Sequence, residues 1–98
     1  MKTKVNLKTI NNLKEFLVDF FKGKEVKLFL FGSRARGDNT IFSDIDIGIL
    51  SDKDIRKDIV ILREILEESN IPYKVDIVEL SKNRDLLDVV LKEGKRWL

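Results

Sequence analysis

Ninety-eight residues predict one domain spanning 1–98 with a single core, and 19 Lys+Arg against 17 Asp+Glu leave a net charge of only +2. At 43% hydrophobic and 37% charged the chain is globular rather than disordered, and its near-balance of charge gives no argument for direct nucleic-acid binding. With no Cys and no His it cannot use disulfides, thiolates, Ser-His triads or His-held zinc, so a metal must be held by oxygen, which favours Mg²⁺ or Mn²⁺.

In chain order, residues 7–22 place Ile10, Leu13, Leu17, Phe20 and Phe21 at helical spacing, with Gly23 as the stop. No signal core stands at the N-terminus, and no apolar run approaches the roughly 18 residues a membrane span needs, so a cytoplasmic protein without membrane contact is expected. Residues 25–31 alternate apolar and polar as a first strand. Gly32-Ser33 then breaks the strand and opens a helical turn, Arg34 to Gly37, followed by a loop from Asp38 to Thr40. Ile41 and Phe42 interrupt that polar loop and are expected to pack inward or to touch a partner.

Residues 44–50 read as a second strand, and Ser51 or Asp52 as the cap of a helix over 53–69 with the stripe Ile55, Ile59, Leu62, Leu66. Pro72 follows the break at Asn70. Residues 73–80, YKVDIVEL, predict a third strand. Ser81 is the expected cap of a last helix over 82–93 with Leu86, Leu87, Val90 and Leu91 inward. Gly94 ends it and leaves the tail Lys95-Arg96-Trp97-Leu98, which either contacts a partner or folds onto its own core. This order predicts an α/β (α+β) fold, one small sheet layer flanked by helices. The pairing direction of the first two strands is open, because 12 residues are long for a hairpin and enough for a short helical crossover.

The chemistry gathers between Leu28 and Leu50. Strand side chains alternate with period 2, so Asp44 and Asp46 point to one side and Ile45, Ile47 and Ile49 to the other. Aspartate is a poor strand former, and two carboxylates side by side repel unless a cation or proton sits between them. That pattern points to metal ligation. Asp76, between Val75 and Ile77, should be half-buried, and burial without a partner is expensive. It joins the pair if strand three neighbours strand two. Glu79 lies on the opposite face and is expected in solvent; Asp52, Asp54 and Asp58 read as ordinary helix-start charges.

Gly32 permits close backbone approach to a ligand, and Ser33 offers an N–H and a hydroxyl to phosphate oxygens. Arg36, ahead of Arg34, is the candidate cation for phosphate.

The run GSRARGDNTIFSDID, Gly-Ser followed by ten residues and Asp-x-Asp, resembles the signature of the DNA polymerase beta-like nucleotidyltransferase superfamily. More narrowly the chain is similar to the minimal nucleotidyltransferases, through the GSRARG wording, the SDIDIGIL strand and the later VDIV strand over about residues 10–94. The resemblance implies a small mixed β-sheet flanked by helices. It implies that Gly32 and Ser33 hold a nucleoside triphosphate, and that Asp44 and Asp46 bind two Mg²⁺ (or Mn²⁺). It makes Asp76 the third carboxylate, which helps to activate an acceptor hydroxyl. The reaction so implied moves a nucleoside monophosphate, AMP from ATP, onto a hydroxyl and releases pyrophosphate. Minimal nucleotidyltransferases accompany HEPN-type toxins as antitoxins, and some adenylylate a toxin tyrosine. A HEPN-type toxin is therefore the implied partner, with homo-oligomerisation open. The rival readings are a non-catalytic antitoxin that neutralises by binding, and a nucleotidyltransferase subunit with a small-molecule acceptor.

Overall fold

The computed structural model describes residues 7–40 and 43–98, so the expectation for Ile41 and Phe42 lies outside the described residues. The order is α1 (Ile10–Phe20), β1 (Lys27–Phe31), α2 (Ser33–Arg36), β2 (Ile45–Leu50), α3 (Arg56–Glu68), β3 (Val75–Glu79), a 3₁₀ turn (Leu80–Lys82), α4 (Arg84–Glu93) and β4 (Lys95–Arg96). The sheet runs β3-β2-β1-β4. β1 pairs antiparallel with both β2 and β4, and β2 pairs parallel with β3. The sheet is therefore mixed, as expected, and the first two strands are antiparallel.

β2 lies between two strands, and its Ile45, Ile47 and Ile49 are fully buried. With Leu28, Leu30 and Ile77 they form one face of the sheet. Leu13 and Leu17 of α1, and Ile59, Leu62 and Leu66 of α3, pack on that face. Aliphatic side chains of this kind each stabilise by about 1.5–3 kcal/mol when fully buried, so this layer holds the fold. The opposite face carries a smaller cluster, Phe29, Leu80 and Val90, flanked by Phe31, Val78, Leu86 and Leu87, with α4 over it. Gly48 of β2 lies under Leu80: a Cβ there would stand 2.6 Å from Leu80 Cδ1. Only glycine lets the 3₁₀ turn sit this close to the sheet. Among the described residues no helix is long and apolar enough to cross a membrane.

Several boundaries differ from the sequence expectation. α1 starts at Ile10 because Thr9 Oγ1 accepts the Asn12 N–H at 3.0 Å. α3 starts at Arg56 rather than 53: Asp54 Oδ1 accepts the Arg56 N–H at 3.1 Å, while Ser51 Oγ accepts from Lys53 N and donates to Glu25 O. Asn83, not Ser81, caps α4, accepting the Leu86 N–H at 3.1 Å. The tail forms a fourth strand. Trp97 N donates to Leu28 O at 2.8 Å, Leu98 O accepts from Leu28 N at 2.9 Å, and both side chains pack on the main core.

Candidate active site

The antiparallel register sets Phe31, the last residue of β1, opposite Asp46 near the start of β2. The parallel register sets Asp46 level with Asp76. The end of β1 and the beginnings of β2 and β3 therefore meet at one end of the sheet. Since paired residues on neighbouring strands share a face, Asp46 and Asp76 stand side by side on the α4 side of the sheet. Both are half-buried, whereas Asp44, one residue before β2, is exposed.

At Gly32 the chain leaves β1 with φ 76° and ψ −157°, a backbone region essentially restricted to glycine. The turn directs the chain into α2 and brings the Gly32 Cα against the Asp46 carboxylate. A Cβ on Gly32 would fall on Asp46 Oδ2 and stand 3.3 Å from its Cγ. Gly32 O accepts from Ala35 N and Arg36 N at 3.1 Å, and the helical turn closes on Gly37 in the left-handed region at φ 87°. Half-buried Ser33 follows immediately.

Charge at the site is unbalanced. Burial raises the Asp46 pKa above its ordinary 3.8, and the neighbouring Asp76 and Asp44 charges raise it further; Arg36 and Lys74 pull it down. Arg36 is exposed, with Nε 3.4 Å from Asp38 Oδ2 and Nη1 3.9 Å from Glu93 Oε2. Lys74 was not singled out from the sequence. The signal was available, because Lys74 stands two positions before Asp76 and period 2 puts both on one face. A groove lined by Arg63, Ile71, Tyr73, Lys74 and Asp76 runs between α3 and β3. Glu79 differs from expectation: its side chain is only 17% exposed, with Lys82 Nζ 3.6 Å away.

Arg34 is engaged with the protein itself. Its Nε and Nη2 donate to Ser43 O at 3.2 and 2.9 Å, Nη2 reaches Thr40 O at 3.5 Å, and the guanidinium lies 4.7 Å from the Tyr73 ring centroid.

A divalent cation fits this donor set in kind. The donors are all carboxylate oxygen, two of them aligned across neighbouring strands, and a cation relieves the repulsion that raises Asp46. Among the described residues, however, no three acidic groups are already drawn together around a single ion position. Asp46 and Asp76 are brought level by the sheet, while Asp44 stands exposed one residue before β2.

Residues 4–97 match the family model described as polymerase beta, nucleotidyltransferase. The chain belongs to this family and carries its nucleotidyltransferase domain in the mixed α+β fold expected for it. Two solved structures are similar. One, described as a toxin–antitoxin with AMP-PNP, has a TM-score of 0.62 and 24% identity, with 87% of this chain and 72% of that one covered. The other, a mutant of the toxin–antitoxin MntA-HpeT with two aspartates changed to glutamate, has a TM-score of 0.61 and 22% identity over the same shares, 87% and 72%. No curated protein matches the chain in sequence.

Proposed function

We propose that this protein is a Mg²⁺-dependent nucleotidyltransferase that moves AMP from ATP onto a hydroxyl of a partner protein, a tyrosine of a HEPN-type toxin, and thereby acts as an antitoxin. The observation that carries this is the contact of Gly32 with the Asp46 carboxylate, level with Asp76. It sets a phosphate-approachable backbone turn directly beside a pair of carboxylates. The similar structures add support. One holds AMP-PNP, and the two aspartates mutated in the other are two positions apart, as Asp44 and Asp46 are here.

In this scheme Asp44, Asp46 and Asp76 would hold two Mg²⁺, or Mn²⁺ in their place. When bound, such ions stabilise the attacking and leaving oxygens of an in-line displacement. Gly32 and Ser33 receive the triphosphate through backbone N–H and hydroxyl, and Arg36 and Lys74 offset its charge. The acceptor oxygen attacks the α-phosphorus, the bond from that phosphorus to the β-phosphate's bridging oxygen breaks, and pyrophosphate departs. In this reading Asp76 takes the hydroxyl proton, a role open to a carboxylate in a chain without His.

The test is to incubate the purified protein with ATP labelled at the α-phosphate, Mg²⁺ and the protein encoded beside it. Label should appear on the partner, and Asp46→Asn or Asp76→Asn should abolish it. Absence of transfer, or transfer untouched by these substitutions, overturns the proposal.

A further inference from the structure

Arg34 gathers three separate stretches of chain. Its backbone lies in α2, one residue after Ser33. Its guanidinium donates twice to the carbonyl of Ser43, the residue before Asp44. Its Cζ lies over the ring of Tyr73, 4.7 Å from the centroid, three residues before Asp76. Thr40 O is within 3.5 Å of the same guanidinium, and Thr40 and Ser43 are tied to each other, Thr40 N to Ser43 Oγ at 2.9 Å and Ser43 N to Thr40 O at 3.1 Å. The nucleotide turn and the approaches to Asp44 and Asp76 thus share one side chain.

We infer that Arg34 is a positioning residue that presents Asp44 to Asp46 and Asp76, with Tyr73 as the platform that holds its guanidinium. This rests on the nucleotidyltransferase reading of the site and adds a residue to it. Asp46 and Asp76 are fixed by the sheet register, whereas Asp44 precedes β2: the peptide after it is tied to the chain entering β3 by Ile45 N donating to Lys74 O at 2.8 Å, and the peptide before it is tied to Arg34. The backbone of Asp44 begins where Arg34 holds the Ser43 carbonyl. Arginine suits the task because its planar fork donates in two directions at once while its face stacks on an aromatic ring. Lysine keeps the charge but has neither the fork nor the flat face. A cation that met phosphate only as a point charge would be largely replaceable by lysine.

The experiment measures Mn²⁺ binding to the full chain without nucleotide by electron paramagnetic resonance, and in parallel the affinity for a fluorescent ATP analogue. The wild-type protein should bind Mn²⁺ in a manner lost in Asp46→Asn. Failure of that control sinks the proposed function itself. Arg34→Lys should weaken Mn²⁺ binding about tenfold, the scale for losing a group that orients a metal ligand, with nucleotide affinity changed much less. Tyr73→Leu leaves the Ser43 hydrogen bonds intact and should weaken Mn²⁺ about threefold, the scale of one stacking contact. Because Tyr73→Leu leaves those bonds in place, it decides the matter if Arg34→Lys does not fold. With the wild-type control intact, unchanged Mn²⁺ affinity in Arg34→Lys overturns the inference alone. So does loss of nucleotide affinity without loss of Mn²⁺, which would make Arg34 a phosphate contact.

Discussion

Gly32 and Asp46 touch: the space that a side chain on Gly32 would fill is occupied by the Asp46 carboxylate. The register explains why. Phe31 and Asp46 are partners across the antiparallel pair, so the residue after Phe31 must pass over the start of β2. The glycine of the Gly-Ser turn is needed twice, for its φ of 76° and for the absence of a Cβ.

Gly32→Ala should therefore damage fold and site together. The strained backbone alone costs about 1–3 kcal/mol. The new methyl must also displace the Asp46 carboxylate, and misplacing a reacting group by about 1 Å can cost about 100-fold in rate. Urea melts and labelled-ATP turnover should both fall. An alanine variant with full turnover would mean that the carboxylate works from elsewhere.

Asp46→Asn should separate stability from activity. The ionised Asp46 is disfavoured by burial and by Asp76 and Asp44, so an uncharged side chain of the same shape removes a repulsion from the metal-free protein. Its melting temperature without Mg²⁺ at neutral pH should rise. Turnover should fall by more than about 100-fold, the scale for losing one electrostatic stabiliser of a transition state. A fall in both would mean that the native protein gains stability from this charge, contrary to its neighbours. Trading stability for a functional charge is common at catalytic positions.

Much of this arrangement was legible in the sequence because it follows strict periods. Period 2 set Asp44 and Asp46 against Ile45, Ile47 and Ile49, and the mid-strand position of Asp76 between Val75 and Ile77 marked it as half-buried. Which strands are neighbours is a tertiary fact, so the alignment of Asp46 with Asp76 remained conditional until the parallel pairing was seen. β4 was missed because two charged residues carry no alternation, and its pairing comes from β1. Asn83, the true cap of the last helix, was hidden by the equally suitable Ser81 nearby, and only the backbone path decides between them. Arg34 and Arg36 look alike in GSRARG. The fold separates them by giving Arg34 the Ser43 carbonyl and Tyr73, and by leaving Arg36 beside Asp46.

Gly48→Ala tests the opposite dependence, packing without chemistry. The added methyl meets Leu80 Cδ1 at 2.6 Å and Cγ at 2.9 Å in a cluster where Leu80 is fully buried. Overpacking of this kind costs about 1–3 kcal/mol. Chemical denaturation should register that loss while the Mn²⁺ affinity of the folded fraction is retained. A neutral effect on stability would show that the 3₁₀ turn can move off the sheet.

Asp46 also predicts how stability varies with pH, and Mg²⁺ should reverse the direction. In the metal-free protein its pKa lies above the unfolded value of 3.8. Between the two values the native chain holds a proton that the unfolded chain has released, so the stability contributed by Asp46 is greatest at low pH and falls as pH rises through that window. A divalent ion binds only the ionised carboxylate. Saturating Mg²⁺ therefore pulls the native pKa downward, and once it passes below 3.8 stability rises with pH instead. Arg36 holds Asp46 down in the absence of metal, so Arg36→Gln should extend the metal-free window to higher pH. Thermal melts across the acidic range, with and without Mg²⁺, give the slopes directly. Wild-type slopes of the same sign in both conditions, or slopes unchanged by Asp46→Asn, would place the pH-sensing group elsewhere. Opposite slopes that vanish together in Asp46→Asn would tie the proton and the metal to the same carboxylate.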